Sequence, residues 1–135
     1  MHQLILNLKQ KFPDCLGEVL KDEETGKLKA IIYATPTMKS LTRKYMDLLV
    51  IDTTFGTNHF RMKHWTMCGK NNENKTIIFA EGLATHENIE QFSWFLLKVK
   101  DYIQRDPEFI LTDADPALIS SVEIVYPNSN LKLCG

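Results

Sequence analysis

The spacing of apolar and polar positions changes period several times along the chain, and each change marks an element. Residues 17 to 33 hold two extended stretches, Glu18-Val19-Leu20 and Leu28-Lys29-Ala30-Ile31-Ile32-Tyr33. Between them lies the polar, glycine-containing run from Lys21 to Lys27, and the pattern predicts a hairpin. Thr35 and Pro36 then offer a capping hydroxyl and a first-turn proline, with Met38, Leu41 and Tyr45 at helical spacing. Leu48-Leu49-Val50-Ile51 is a continuous apolar run closed by Asp52, the pattern of a strand buried on both faces whose polar end emerges from the core. A turn is expected at Gly56-Thr57-Asn58, followed by two strands, His64 to Cys68 and Thr76 to Ala80, divided by the polar run Lys70 to Asn74.

The strongest helical signal is Ile89, Phe92, Phe95, Leu96, Val99, Tyr102 and Ile103, with Asn88 and Gln91 placed as a capping pair. Phe109-Ile110-Leu111-Thr112 repeats the earlier arrangement and delivers a second aspartate, Asp113, at its end. Asp115 and Pro116 cap a helix carrying Ala117, Leu118, Ile119 and Val122 that ends near Tyr126-Pro127, and Leu131 to Cys134 reads as an edge strand. After the early hairpin and helix, the order is three strands, helix, strand, helix, strand. A strand reached through a crossover helix is normally parallel to an earlier one. The expected fold is therefore α/β and ribonuclease H-like: a mixed sheet, antiparallel meander plus parallel strand, with flanking helices. Residues 1–46 are expected to be a helix and hairpin lead-in, and 47–135 the partial core.

Composition narrows the function. The 135 residues suit one domain, and 16 basic against 17 acidic residues give a net charge of -1, so a phosphate grip by bulk positive charge is excluded. Three widely spaced cysteines, Cys15, Cys68 and Cys134, argue against a disulfide framework. The N-terminus has no secretory pattern and no stretch approaches membrane-spanning length, so neither secretion nor a membrane is expected.

The candidate chemistry lies at the two strand ends. In the expected topology Asp52 and Asp113 sit on neighbouring central strands with carboxylates at the same end, a concentration of negative charge that suits Mg²⁺ or Mn²⁺. Two such ions held about 4 Å apart can activate an attacking oxygen and stabilise a leaving one in phosphodiester displacement. Without that pairing, either residue is an ordinary strand end or helix cap. Other residues draw smaller expectations. His59, His64 and His86 lack zinc spacing with a cysteine partner. Glu87 reads as a first-turn charge on the long helix, Trp94 as packing off the main stripe, and Arg43, Lys44, Lys98 and Lys100 as solvated positions. Cys134 reads as a small buried residue.

The stretch from Leu48 to Cys134 resembles the transposase domain of Mutator-like elements, related to plant far-red-response regulators. The features that carry the likeness are Ile51-Asp52-Thr53-Thr54-Phe55 with Thr57-Asn58, then Glu87 with Phe92 and Trp94. Leu111-Thr112-Asp113 with Ala117-Leu118 follows, then Tyr126-Pro127 leading to Leu133-Cys134; Tyr33-Ala34 and Lys44-Tyr45-Met46-Asp47 fit upstream. The resemblance implies a DDE-type enzyme with Asp52 and Asp113 as the first two metal ligands, Mg²⁺ or Mn²⁺ as cofactor and transposon-end DNA as partner in a nuclear setting. A homo-oligomer is among the assemblies it allows, and no small-molecule substrate is expected. In the family the third acid lies on a later helix, and Cys134 would open a Cys-x-x-His, so the chain is expected to be truncated and inactive alone. The competing expectations are a non-enzymatic remnant that binds DNA or protein, and a decayed fragment of marginal stability.

Overall fold

The apolar run ending at Asp52 lies in β3 (Leu48–Thr54), and the run before Asp113 forms β6 (Phe109–Thr112). In the computed structural model, which describes residues 2–11, 13–54 and 62–133, these two strands are parallel neighbours. From β3 the meander continues antiparallel through β4 (Lys63–Lys70) into β5 (Thr76–Ala84). Asn71 shapes the β4–β5 turn: its Oδ1 accepts the backbone N–H of Glu73 and Lys75, and Asn74 takes a positive φ of 62°. On the far side of β6, β7 (Asn130–Leu133) adds a parallel edge strand. The turn expected at Gly56-Thr57-Asn58 lies outside the described residues, as do Phe55, His59 and Cys134.

The early hairpin forms as β1 (Leu16–Lys21) and β2 (Leu28–Ala34), turned by Gly26 at a φ of +71°. It does not stand apart. β2 pairs antiparallel with β5, so the sheet crosses the boundary between residues 46 and 47. Among the described residues the order is β1-β2-β5-β4-β3-β6-β7, giving an α/β fold on one mixed sheet. Ahead of it, α1 (His2–Lys11) contacts β1 and places Lys9 3.8 Å from Glu18.

Side chains alternate across each strand, so Leu49, Ile51, Trp65, Met67, Ile32 and Ile110 share one face. All six are buried, and they join one core with residues of the helices α2 (Pro36–Tyr45), α3 (Ile89–Ile103) and α4 (Pro116–Val125). Trp65 packs between Phe92 and Phe95 of α3 at centroid distances of 4.1 and 4.5 Å, contacts worth about 1 kcal/mol each beyond their buried area. Gly82 lets α3 sit this close: a Cβ there would collide with the Phe95 ring and lie 2.6 Å from the carbonyl oxygen of Ile31. The opposite face keeps Val50, Thr66, Cys68, Glu81 and Leu83 partly exposed. That is the face on which Asp52 emerges.

Candidate functional site

Asp52 sits two residues beyond Val50, and Asp113 two beyond Leu111. The parallel β3–β6 ladder runs as far as Val50 and Leu111, so Asp52, within β3, and Asp113, just past the end of β6, both follow it at the same end of neighbouring strands. Both are exposed. Asp52 faces Thr66 across the β3–β4 ladder. Asp113 closes a short turn in which its Oδ1 accepts the backbone N–H of Asp115 at 3.2 Å, while Asp115 caps α4 through Ala117 and Leu118. The two positions differ in detail: Asp52 lies inside β3, which continues to Thr54, whereas Asp113 follows the last residue of β6. Among the described residues, no group of three or more His, Cys, Asp or Glu side chains is arranged to hold a metal ion.

The row containing Asp52 continues across the sheet. Asp52 pairs with Thr66, Thr66 with Glu81 and Glu81 with Tyr33. The Tyr33 hydroxyl donates to Glu81 Oε2, and His64 Nε2 lies 3.8 Å from Glu81 Oε1. Burial, and then the Glu81 carboxylate, push the Tyr33 hydroxyl well above its ordinary range. Cys68 shares this face, its thiol pushed up by burial and next by the charge of Asp52. Sequence reasoning missed Glu81. The available signal was a lone acid inside an apolar strand, but its partners depend on a register across three strands.

Several smaller expectations change. Glu87 precedes the cap Asn88 instead of lying in the first turn of α3, and pairs with Lys63 at 3.5 Å; the first-turn acid is Glu90, which meets Lys29 at 3.1 Å. Asn88 does accept the Gln91 backbone N–H, but the Gln91 side chain is buried against Thr85 and His86 instead of returning to the cap. Lys100 is no solvated position: its Nζ donates to the carbonyl of Val125 at 2.8 Å and lies 3.5 Å from Asp106. Arg43 is exposed, as expected, and also bonds the carbonyl of Ile103 at 3.1 Å, tying α2 to the end of α3. Trp94 meets Phe95 edge-on at 5.4 Å. His86 contacts Thr85 Oγ1 through Nδ1 at 3.0 Å.

A mixed α/β sheet that lifts two acids to the same end of parallel neighbours defines the class, and comparison with known proteins specifies it. Residues 48–135 match the family model described as the MULE transposase domain. The chain belongs to that family and is a MULE transposase-derived domain. Among curated relatives it is similar to Protein FAR1-RELATED SEQUENCE 6 of Arabidopsis thaliana, 25% identical over 107 residues, covering 79% of this chain and 15% of that protein. Protein FAR-RED IMPAIRED RESPONSE 1 of the same plant is 24% identical over 110 residues, 78% of this chain and 13% of that protein. A stretch of the PKS-NRPS hybrid synthetase cheA of Chaetomium globosum is 24% identical over 109 residues, 78% of this chain and 2% of that protein. The chain thus spans less than a sixth of the length of each.

Proposed function

We propose that the chain is part of a ribonuclease H-like, DDE-type transposase core acting on DNA in the nucleus, with Asp52 and Asp113 as two of its metal ligands. The observation that carries this reading is the parallel β3–β6 pairing, after which both aspartates follow at the same end of neighbouring strands. The sheet order from β5 through β4, β3 and β6 to β7 supports the ribonuclease H-like assignment. Two exposed carboxylates on adjacent strands are hard oxygen donors and fit Mg²⁺ or Mn²⁺ as part of a coordination shell. Bound there, such an ion would supply Lewis-acid stabilisation of the attacking and leaving oxygens of a phosphodiester. The protein's own contribution is placement: β3 and β6 fix both carboxylates on a buried sheet, and the Asp115 cap holds the turn that carries Asp113. Glu81 does not complete the set. Its carboxylate is engaged by Tyr33 and His64, and Thr66 separates it from Asp52.

Titration calorimetry with Mn²⁺ tests the ligand assignment. The native chain should bind the ion, and at about 100 times its Kd the folded state should gain about 2.7 kcal/mol. The double variant Asp52→Asn with Asp113→Asn should lose that gain with little change in metal-free stability, since both side chains are exposed. Equal binding by the double variant would remove both residues from the role. With two acids at this end of the sheet, the isolated chain is expected to cleave no DNA strand; robust Mg²⁺-dependent cleavage by purified protein would overturn that part.

The likeness to the two plant proteins, one of which is named for a far-red response, favours a second reading: a non-enzymatic module that keeps the sheet and binds DNA or protein. It expects partner binding to survive the same double substitution.

A further inference from the structure

The face that carries Asp52 also carries a chain of three side chains with no part in metal binding. Tyr33 on β2, Glu81 on β5 and His64 on β4 come from three neighbouring strands and point to one side of the sheet. Tyr33 donates to one oxygen of Glu81, and His64 Nε2 lies 3.8 Å from the other, so the carboxylate stands between side chains of the two flanking strands. Nδ1 of His64 has no hydrogen-bond partner among the described residues, and the side chain is 40% exposed. Opposite His64 stands Thr54, and opposite Asp52 stands Thr66, which makes His64 and Asp52 diagonal neighbours on this face, about 7–8 Å apart between Cα atoms. Among the described residues, the charged groups facing His64 are thus Glu81 from β5 and, diagonally, Asp52 from β3. The Cys68 thiol along β4 and the Tyr33 hydroxyl behind Glu81 are both pushed up, and stay neutral near pH 7.

An imidazolium in this position has one edge paired with a carboxylate and the other N–H left to donate outward. On a face bearing Asp52, Asp113 and Glu81, an approaching phosphate needs such a cation. We propose that His64 is a contact for a nucleic-acid phosphate bound over the Asp52 face, with Glu81 and Tyr33 as the residues that position it. This rests on the reading that DNA comes to that face.

The test is fluorescence anisotropy of a labelled DNA duplex over a salt series at about pH 5.5 and about pH 8, on either side of the range in which histidine side chains in general change charge. The native chain is measured with Mg²⁺. The Asp52→Asn, Asp113→Asn double variant is measured in chelator, which removes carboxylate repulsion and metal dependence together. In both, lowering the pH should tighten binding several-fold and steepen log K against log salt by about 0.9, the signature of one added phosphate contact. His64→Gln should abolish both changes, and Glu81→Gln and Tyr33→Phe should reduce them. An unchanged salt slope in the native chain, or a pH-dependent slope that survives His64→Gln, overturns the assignment. Duplex binding without the pH-dependent slope removes only the role of His64, whereas no binding in any arm overturns the DNA reading as well.

Discussion

Tyr126 shows how much one side chain of α4's end can decide. It is 1% exposed, its hydroxyl has no hydrogen-bond partner among the described residues, and Lys100 Nζ lies 5.3 Å from its ring. The ring is needed to fill the space between α3 and α4, but the buried oxygen brings an uncompensated desolvation cost. Tyr126→Phe keeps the ring and removes that oxygen, so urea unfolding should find the variant as stable as the parent or about 1 kcal/mol more stable. The alkaline limb supplies an independent check. Burial first, and then the charges of Asp106 and Asp101, raise the Tyr126 hydroxyl above its ordinary value. The unfolded chain therefore releases this proton more readily, and the associated stability is present below about pH 10 and declines as the pH rises toward the folded-state value. The Tyr126→Phe variant should lack this share of the decline, while the raised Tyr33 hydroxyl retains its own. Identical alkaline curves for parent and variant would show that the tyrosine is not differently titrated in the two states.

At the scale of elements, caps and apolar runs explain what could be read in advance. Thr35, Asn88 and Asp115 each accept a backbone N–H at the start of a helix, as their positions before an apolar periodicity led one to expect. Asp115→Ala should cost about 1 kcal/mol and loosen the turn behind Asp113; the denaturant midpoint checks the first and amide exchange at Ala117 and Leu118 the second. No loss at all would mean that Pro116 and packing of Leu118 fix the helix start without the cap. β3 and β6 were legible as consecutive apolar residues, but the expected burial on both faces does not hold: Val50 and Leu111 stay partly exposed, and β3 runs on past Asp52 to Thr54. The bulge between Met67 and Cys68 was not legible, because a bulge is a relation between strands and leaves no mark on either one alone. The same limit hid the Tyr33, Glu81 and His64 chain. Lys100 was read as solvated because a long basic side chain looks alike whether it points to water or caps a neighbouring helix's carbonyls.

For the whole molecule, the meander and parallel strand that hold Asp52 and Asp113 followed from element order, whereas the attachment of β1 and β2 did not. A hairpin preceding the first core strand can flank a sheet or extend it, and only pairing decides. Here β2 lies along β5, with Ile31 opposite Leu83 and Ile32 opposite Gly82, and Ala30, Ile31, Ile32 and Ala34 are all buried. Each isoleucine contributes about 1.5–3 kcal/mol by leaving water, and the β2 backbone satisfies the edge of β5. A chain reduced to residues 47–135 would lose that strand and the fully buried Met46, leaving β5 as an open edge beside the Trp65 and Phe95 stack. Losses of that size are comparable with the whole stability of a domain. The shortened chain should therefore show no cooperative unfolding transition in urea followed by tryptophan fluorescence, and should associate at concentrations where the full chain does not. A single sharp transition from a monomeric 47–135 fragment would instead make the hairpin an appendage, and would show that α3 packed on β3 to β6 is enough to hold Asp52 and Asp113 in register.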